Sequence, residues 1–145
     1  GRNKEGLDCM GIIFLAYSKI TIEDWKKLSV YPSKLVESGK LGSPVEGLDG
    51  IIIKDTAHVE ELTKKLKPGD IIYFLSTYPI DDKPLAIIDS IKYWPWHMGM
   101  YADSNNILHA NPFPSENKPL RVIIEPFLDL LKRTNTKAIF VTRKH

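Results

Sequence analysis

The chain reads as an α+β protein because its helix signals come first and are followed, beyond Gly69, by short β-rich runs separated by turn residues. The expected architecture is a set of N-terminal helices packed on a largely antiparallel sheet of five to six strands. With 145 residues, 43% of them hydrophobic and 26% charged, the chain suits one globular domain spanning residues 1–145 and able to bury a real core.

Taken in order, Asp8 offers a cap to a helix from Cys9 to Tyr17, whose run Gly11 to Tyr17 is apolar all round and so belongs in the interior. Thr21, with Asp24 three residues on, starts a second helix containing Ile22, Trp25 and Leu28. From Ser29 to Ile51 glycine, proline and serine dominate, which predicts a long irregular surface segment. Asp55 and Thr56 cap a helix with Val59, Leu62 and Leu66 on one face, closed by Lys67-Pro68-Gly69. Strands are then expected at Ile71 to Leu75, Leu85 to Tyr93, His97 to Ala102, Ile107 to Ala110, Leu120 to Ile124 and Ala138 to Thr142. A short helix from Pro126 to Lys132, with proline in its first turn, separates the last two.

Charge and composition exclude several classes of function. Lys and Arg number 20 against 18 Asp and Glu, a net charge of +2, and no basic cluster is dense enough for a nucleic-acid track. The longest apolar run is far shorter than the roughly 20 residues a membrane-spanning helix needs. A single cysteine forbids an internal disulfide and a Cys-rich zinc site, and neither metal nor cofactor is expected. Cys9 is therefore either a buried small hydrophobe or a reactive group. No export signal is visible in the chain, which begins Gly1-Arg2-Asn3 and carries no information on export.

The reactive reading follows from position. At the start of a helix, backbone N–H groups and the helix dipole favour a thiolate, the nucleophilic form of cysteine. Such a nucleophile needs a base within hydrogen-bond reach and a group that orients the base. Of the four histidines, His145 is the last residue and His58 lies in the first turn of a polar-faced helix, where solvent is the plain reading. His97 and His109 differ, because they fall on two strands joined by the turn Asp103-Ser104-Asn105-Asn106. A strict four-residue loop would put the two rings on opposite faces. A five-residue connection pairs Gly99 with His109 and makes the histidines diagonal neighbours roughly 7 to 8 Å apart at the backbone, and this second register is the one expected.

Gly6-Leu7-Asp8-Cys9-Met10-Gly11, Lys67-Pro68-Gly69-Asp70-Ile71-Ile72-Tyr73-Phe74, His97-Met98-Gly99-Met100-Tyr101 and Leu108-His109-Ala110, in that order, resemble the successive signatures of the NlpC family of papain-like cysteine peptidases. The resemblance covers most of the chain and implies a papain-like fold. It implies that Cys9 is the nucleophile, His97 the base and general acid, and His109 the group that orients His97. It also implies an oxyanion held by donors near Cys9, its own backbone N–H among them. Asp8 is a helix cap, a contact for the substrate's amine, or both. Met10 departs from the family, which usually has serine there, and no aromatic residue precedes Cys9 where the family tends to carry tyrosine.

Trp94-Pro95-Trp96 either walls the cleft, with Trp96 against the substrate, or simply packs. Asn111 is an alternative third member in place of His109, and Asp70 and Asp103 read as turn residues rather than catalysts.

The resemblance points to hydrolysis of an amide in peptidoglycan stem peptides, commonly the bond between D-glutamate and a diamino acid, with no cofactor and an extracytoplasmic or secreted location. An amidase of the neighbouring CHAP type, and a degenerate cell-wall binding module without turnover, are the alternatives. Oligomeric state is not legible.

Overall fold

A computed structural model describes residues 21–28, 30–110, 122–134 and 136–144. The expected helix from Cys9 to Tyr17 lies outside the described residues, and so do the first two positions of the expected strand Leu120 to Ile124. Among the described residues the elements run α1 (Ile22–Leu28), α2 (Pro32–Ser38), β1 (Ser43–Ile52), α3 (Thr56–Lys65), β2 (Ile71–Ser76), β3 (Ala86–Ile88), β4 (Ile91–Tyr101), β5 (Asn106–Ala110), β6 (Val122–Pro126), α4 (Phe127–Thr134) and β7 (Ala138–Arg143).

Among the described residues the protein is α+β, with a seven-stranded sheet in the order β1-β7-β2-β4-β5-β6 and β3 paired to β4. Every strand pair is antiparallel. β2 and β7 are interior strands and read as near-continuous apolar runs because both sheet faces are covered. Alternation along β2 divides the core in two. Ile71, Tyr73 and Leu75 join Trp25, Leu35, Tyr93, Met98 and Phe140 on one side. Ile72 and Phe74 join Val59, Leu62, Phe127, Leu130 and Leu131 on the other. Full burial of a side chain such as Phe74 contributes about 1.5–3 kcal/mol.

Several elements form for the local reasons expected. The Thr21 hydroxyl accepts from Asp24 N (3.1 Å) at the start of α1, and Asp55 accepts from His58 N (2.8 Å) at the start of α3. α3 buries Val59 and Leu62 one turn apart and ends before Pro68.

Three expectations are corrected. The segment Ser29 to Ile51 is not irregular throughout but holds α2 and β1. Pro32 starts α2, and Gly39, in the left-handed region (φ 70°), ends it. β1 is an edge strand interrupted by two register shifts, with Gly47 and Gly50 at positive φ, so its composition is that of a turn. Leu85 to Tyr93 is not one strand, because Asp89 and Ser90, both left-handed (φ 51° and 68°), fold it into the β3–β4 hairpin. The late helix begins at Phe127, with Pro126 closing β6 instead of opening the helix. With β1 added, the sheet of the described residues has seven strands, against the five to six expected.

Candidate functional site

The site is built on β4, β5 and β6. Gly99 pairs with His109, Met100 with Leu108 and Tyr101 with Ile107, the register expected from a five-residue connection. Ser104 and Asn105 adopt left-handed backbone (φ 60° and 65°), and Ala102 N donates to Asn106 O (2.8 Å) to close the turn. The turn is also held from outside: Asn105 O accepts the Phe127 N–H at the start of α4 (2.8 Å), and Asn105 Oδ1 accepts the Tyr101 hydroxyl (3.0 Å). His97 and His109 consequently share a face as diagonal neighbours.

β4 carries one more device. Phe74 pairs with His97 but Leu75 pairs with Pro95, so Trp96 is an extra residue, a bulge that re-aims its neighbours. The rings of Trp96 and His97 stack with centroids 5.1 Å apart and 22° between planes. Phe74 lies against the same imidazole, centroids 5.7 Å apart. Trp96 is partly buried and packs with the Phe74 and Phe127 side of the core.

His97 Nε2 lies 2.9 Å from His109 Nδ1, and the rings are near perpendicular, at 88°. His97 is 3% exposed and His109 0%, so both are enclosed. His109 Nδ1 also faces its neighbour's carbonyl, Ala110 O, at 2.9 Å. Its other nitrogen, Nε2, lies 2.6 Å from Glu125 Oε1. Glu125 in turn accepts two hydrogen bonds from Arg133, Nη1 to Oε2 and Nη2 to Oε1, each 2.6 Å. Four side chains thus form one line from the buried sheet face to the exposed side of α4.

The electrostatics follow from this gradient. Burial pushes His97 well below the ordinary 6.5, and the nearby charge of His109 acts in the same direction. Burial also lowers His109 from 6.5, although the Glu125 hydrogen bond and charge oppose it. Burial would raise Glu125, but the hydrogen bonds from Arg133 and His109 outweigh it and hold the carboxyl below 4.5. Glu125 in turn raises Arg133 further. A neutral imidazole pair thus abuts an ionised carboxylate.

Of the residues singled out in the sequence, His97, His109 and Trp96 come together. Cys9, Asp8, Met10, Asn111 and His145 lie outside the described residues. His58 stands apart, its Nδ1 accepting from Lys54 N (3.3 Å) at the start of α3. Asp70 is more than a turn residue, being 1% exposed and ion-paired to Arg143.

Sequence reasoning missed Glu125 and Arg133. A signal existed: Glu125 is the only charge in the strand Val122-Ile123-Ile124-Glu125-Pro126, and Arg133 follows eight residues later on an amphipathic helix. What was lacking was the β5–β6 register, which pairs His109 with Ile123 and Ile107 with Glu125 and so makes Glu125 the diagonal neighbour of His109.

A cavity of about 380 Å³ lies between α3 and α4, lined by residues including Lys54, Val59, Leu131, Lys132 and Lys137, and none of the four site residues borders it. Among the described residues no group of three or more His, Cys, Asp or Glu is arranged to hold a metal ion, and no helix is long and apolar enough to cross a membrane. Comparison with family models, with curated proteins and with solved structures finds no match for this chain.

Proposed function

We propose that the protein is a papain-like cysteine peptidase or amidase of the NlpC type, hydrolysing an amide through an acyl-enzyme on Cys9. The observation that carries this reading is the enclosed His97–His109 contact of 2.9 Å, made by the hairpin register that a Cys-His-His mechanism requires. The resemblance of the segments around Cys9, Asp70, His97 and His109 adds the nucleophile and the substrate class.

Because His97 Nε2 is turned to His109, proton exchange with sulfur falls to His97 Nδ1. The imidazole takes the Cys9 proton as sulfur attacks the carbonyl carbon, and the electron pair of the C=O bond moves to oxygen. When the tetrahedral intermediate collapses, the C–N bond breaks and His97 gives its proton to the departing amine. Water then attacks the thioester, His97 takes a proton from it, the C–S bond breaks, and the thiol is restored. Trp96, stacked on His97, keeps the ring in its plane. The substrate is a peptidoglycan stem peptide, cut at the amide between D-glutamate and a diamino acid, outside the cytoplasm.

The test is digestion of peptidoglycan and isolated muropeptides by the purified protein, with products identified by mass. Cys9→Ala and His97→Ala should each abolish release of new amines, while His109→Ala should retain a fraction because only the orientation of the base is lost. Undiminished turnover by Cys9→Ala, or none by the wild type, would overturn the assignment. Independently, the rate of Cys9 alkylation by iodoacetamide should titrate below the free-thiol value of about 8.5.

A further inference from the structure

Resting on the reading of Cys9, His97 and His109 as the catalytic set, we infer that Glu125, clamped by Arg133, is a positioning residue that selects the base-competent tautomer of His97 from two residues away.

Each histidine has one proton to place in its neutral form, and the choices are coupled through the 2.9 Å contact. An ionised Glu125 accepts only, so at 2.6 Å it requires the proton of His109 on Nε2. His109 Nδ1 then presents a lone pair, His97 Nε2 must donate to it, and the remaining lone pair of His97 sits on Nδ1. That is the tautomer able to take a proton from sulfur.

The opposite choice has a partner waiting for it. With the proton on Nδ1, His109 would donate to Ala110 O at 2.9 Å or to His97 Nε2, which would then carry the lone pair. His97 would hold its proton on Nδ1 and could not act as the base. The charge of Glu125 favours the first arrangement, and Arg133 maintains that charge and its aim through two 2.6 Å hydrogen bonds. Glu125 is 13% exposed in its side chain and Arg133 43%, so the carboxylate is sheltered enough to act strongly on His109 while its clamp sits at the surface.

Long-range ¹H–¹⁵N correlation spectra of the imidazoles, in wild type and Glu125→Gln at neutral pH, read the tautomers without reference to activity. The wild type should show both histidines protonated at Nε2, and Glu125→Gln should show a substantial population of His109 protonated at Nδ1. Turnover of a muropeptide should fall about 100-fold in kcat with KM within about twofold, the pattern of a lost orientation rather than lost binding. Arg133→Ala, a change on an exposed helix position, is the second variant should Glu125→Gln not fold; it should keep the tautomer at neutral pH and lose it at a higher pH than the wild type does as Glu125 protonates. Glu125→Asp should restore part of kcat. His109 protonated at Nε2 in Glu125→Gln, together with unchanged kcat, would overturn the role of Glu125. A tautomer change in a protein whose wild type shows no amidase turnover would support that role and sink the hydrolytic reading alone.

Discussion

At the scale of single residues, the buried imidazoles set how stability depends on pH. Both His97 and His109 titrate below 6.5 in the folded protein, chiefly because burial disfavours the cation, whereas in the unfolded chain they titrate near that value. The unfolded state therefore binds more protons below 6.5, and stability is lost as pH falls from there toward the folded values. Glu125, also depressed, adds a further loss below 4.5. Thermal melts should accordingly show a constant melting temperature from pH 8 to 7 and a decline below 6.5. His97→Gln should destabilise less at pH 5 than at pH 8, because the variant no longer carries that protonation penalty. A gap that widens in acid would mean that burial does not dominate the His97 environment. Which residues carry this behaviour was half legible in the sequence. The histidines announce themselves by type and spacing, while Glu125 and Arg133 act through contacts made across β6 and α4 that no local pattern encodes.

At the scale of elements, the β4–β5 hairpin is the part on which the chemistry depends, and Gly99 is where it is least tolerant. A Cβ on Gly99 would stand 2.9 Å from Ile107 Cγ1 and 3.1 Å from Leu108 O, one a fully buried side chain and the other backbone. Neither can yield without moving β5. Gly99→Ala should destabilise by about 1–3 kcal/mol, as overpacking does. It should also reduce turnover at temperatures where the fold persists, since Gly99 faces His109 directly and the displaced strand carries that histidine away from His97. Denaturant titration and muropeptide kinetics measure the two effects; full activity with a wild-type midpoint would show that β5 has room to shift. The register itself was readable from the turn Asp103 to Asn106 and the need to place two histidines on one face. What fixes it was not, because Asn105 is held by Tyr101 and by the first residue of α4, twenty-two positions on. β1 was hidden for a different reason: the glycines that allow its bulges erase the alternation by which a strand is recognised.

At the scale of the whole molecule, Asp70 and Arg143 hold the opposite end of the sheet. Asp70 precedes β2 and is 1% exposed; its carboxylate takes two hydrogen bonds from Arg143 at the end of β7, each 2.7 Å, and one from Lys67 N (2.9 Å). Arg143 also donates to Lys65 O at the end of α3 (3.0 Å), and Asp70 O accepts from Tyr101 N at the end of β4 (2.8 Å). The Asp70 carboxylate thus ties the start of β2 to the end of β7, its backbone carbonyl ties it to β4, and Arg143 extends the link to the end of α3, contacts that the turn signal of Pro68-Gly69-Asp70 does not encode. Arg143→Met should destabilise by about 3–5 kcal/mol, because it leaves a buried carboxylate without its cation. Asp70→Asn combined with Arg143→Met should cost less than the sum of the two single changes. By contrast Lys40→Ala, which breaks the exposed pair with Asp24, should leave the denaturation midpoint near the wild-type value, because solvent screens the pair. Since Tyr101 lies four strand residues from His97, roughly 13 Å along β4, Arg143→Met should leave kcat near the wild-type value below its melting temperature. An Arg143→Met protein of wild-type stability would remove the clamp from the account of the fold, and one that melts normally but turns over slowly would show that the sheet transmits strain to the histidines.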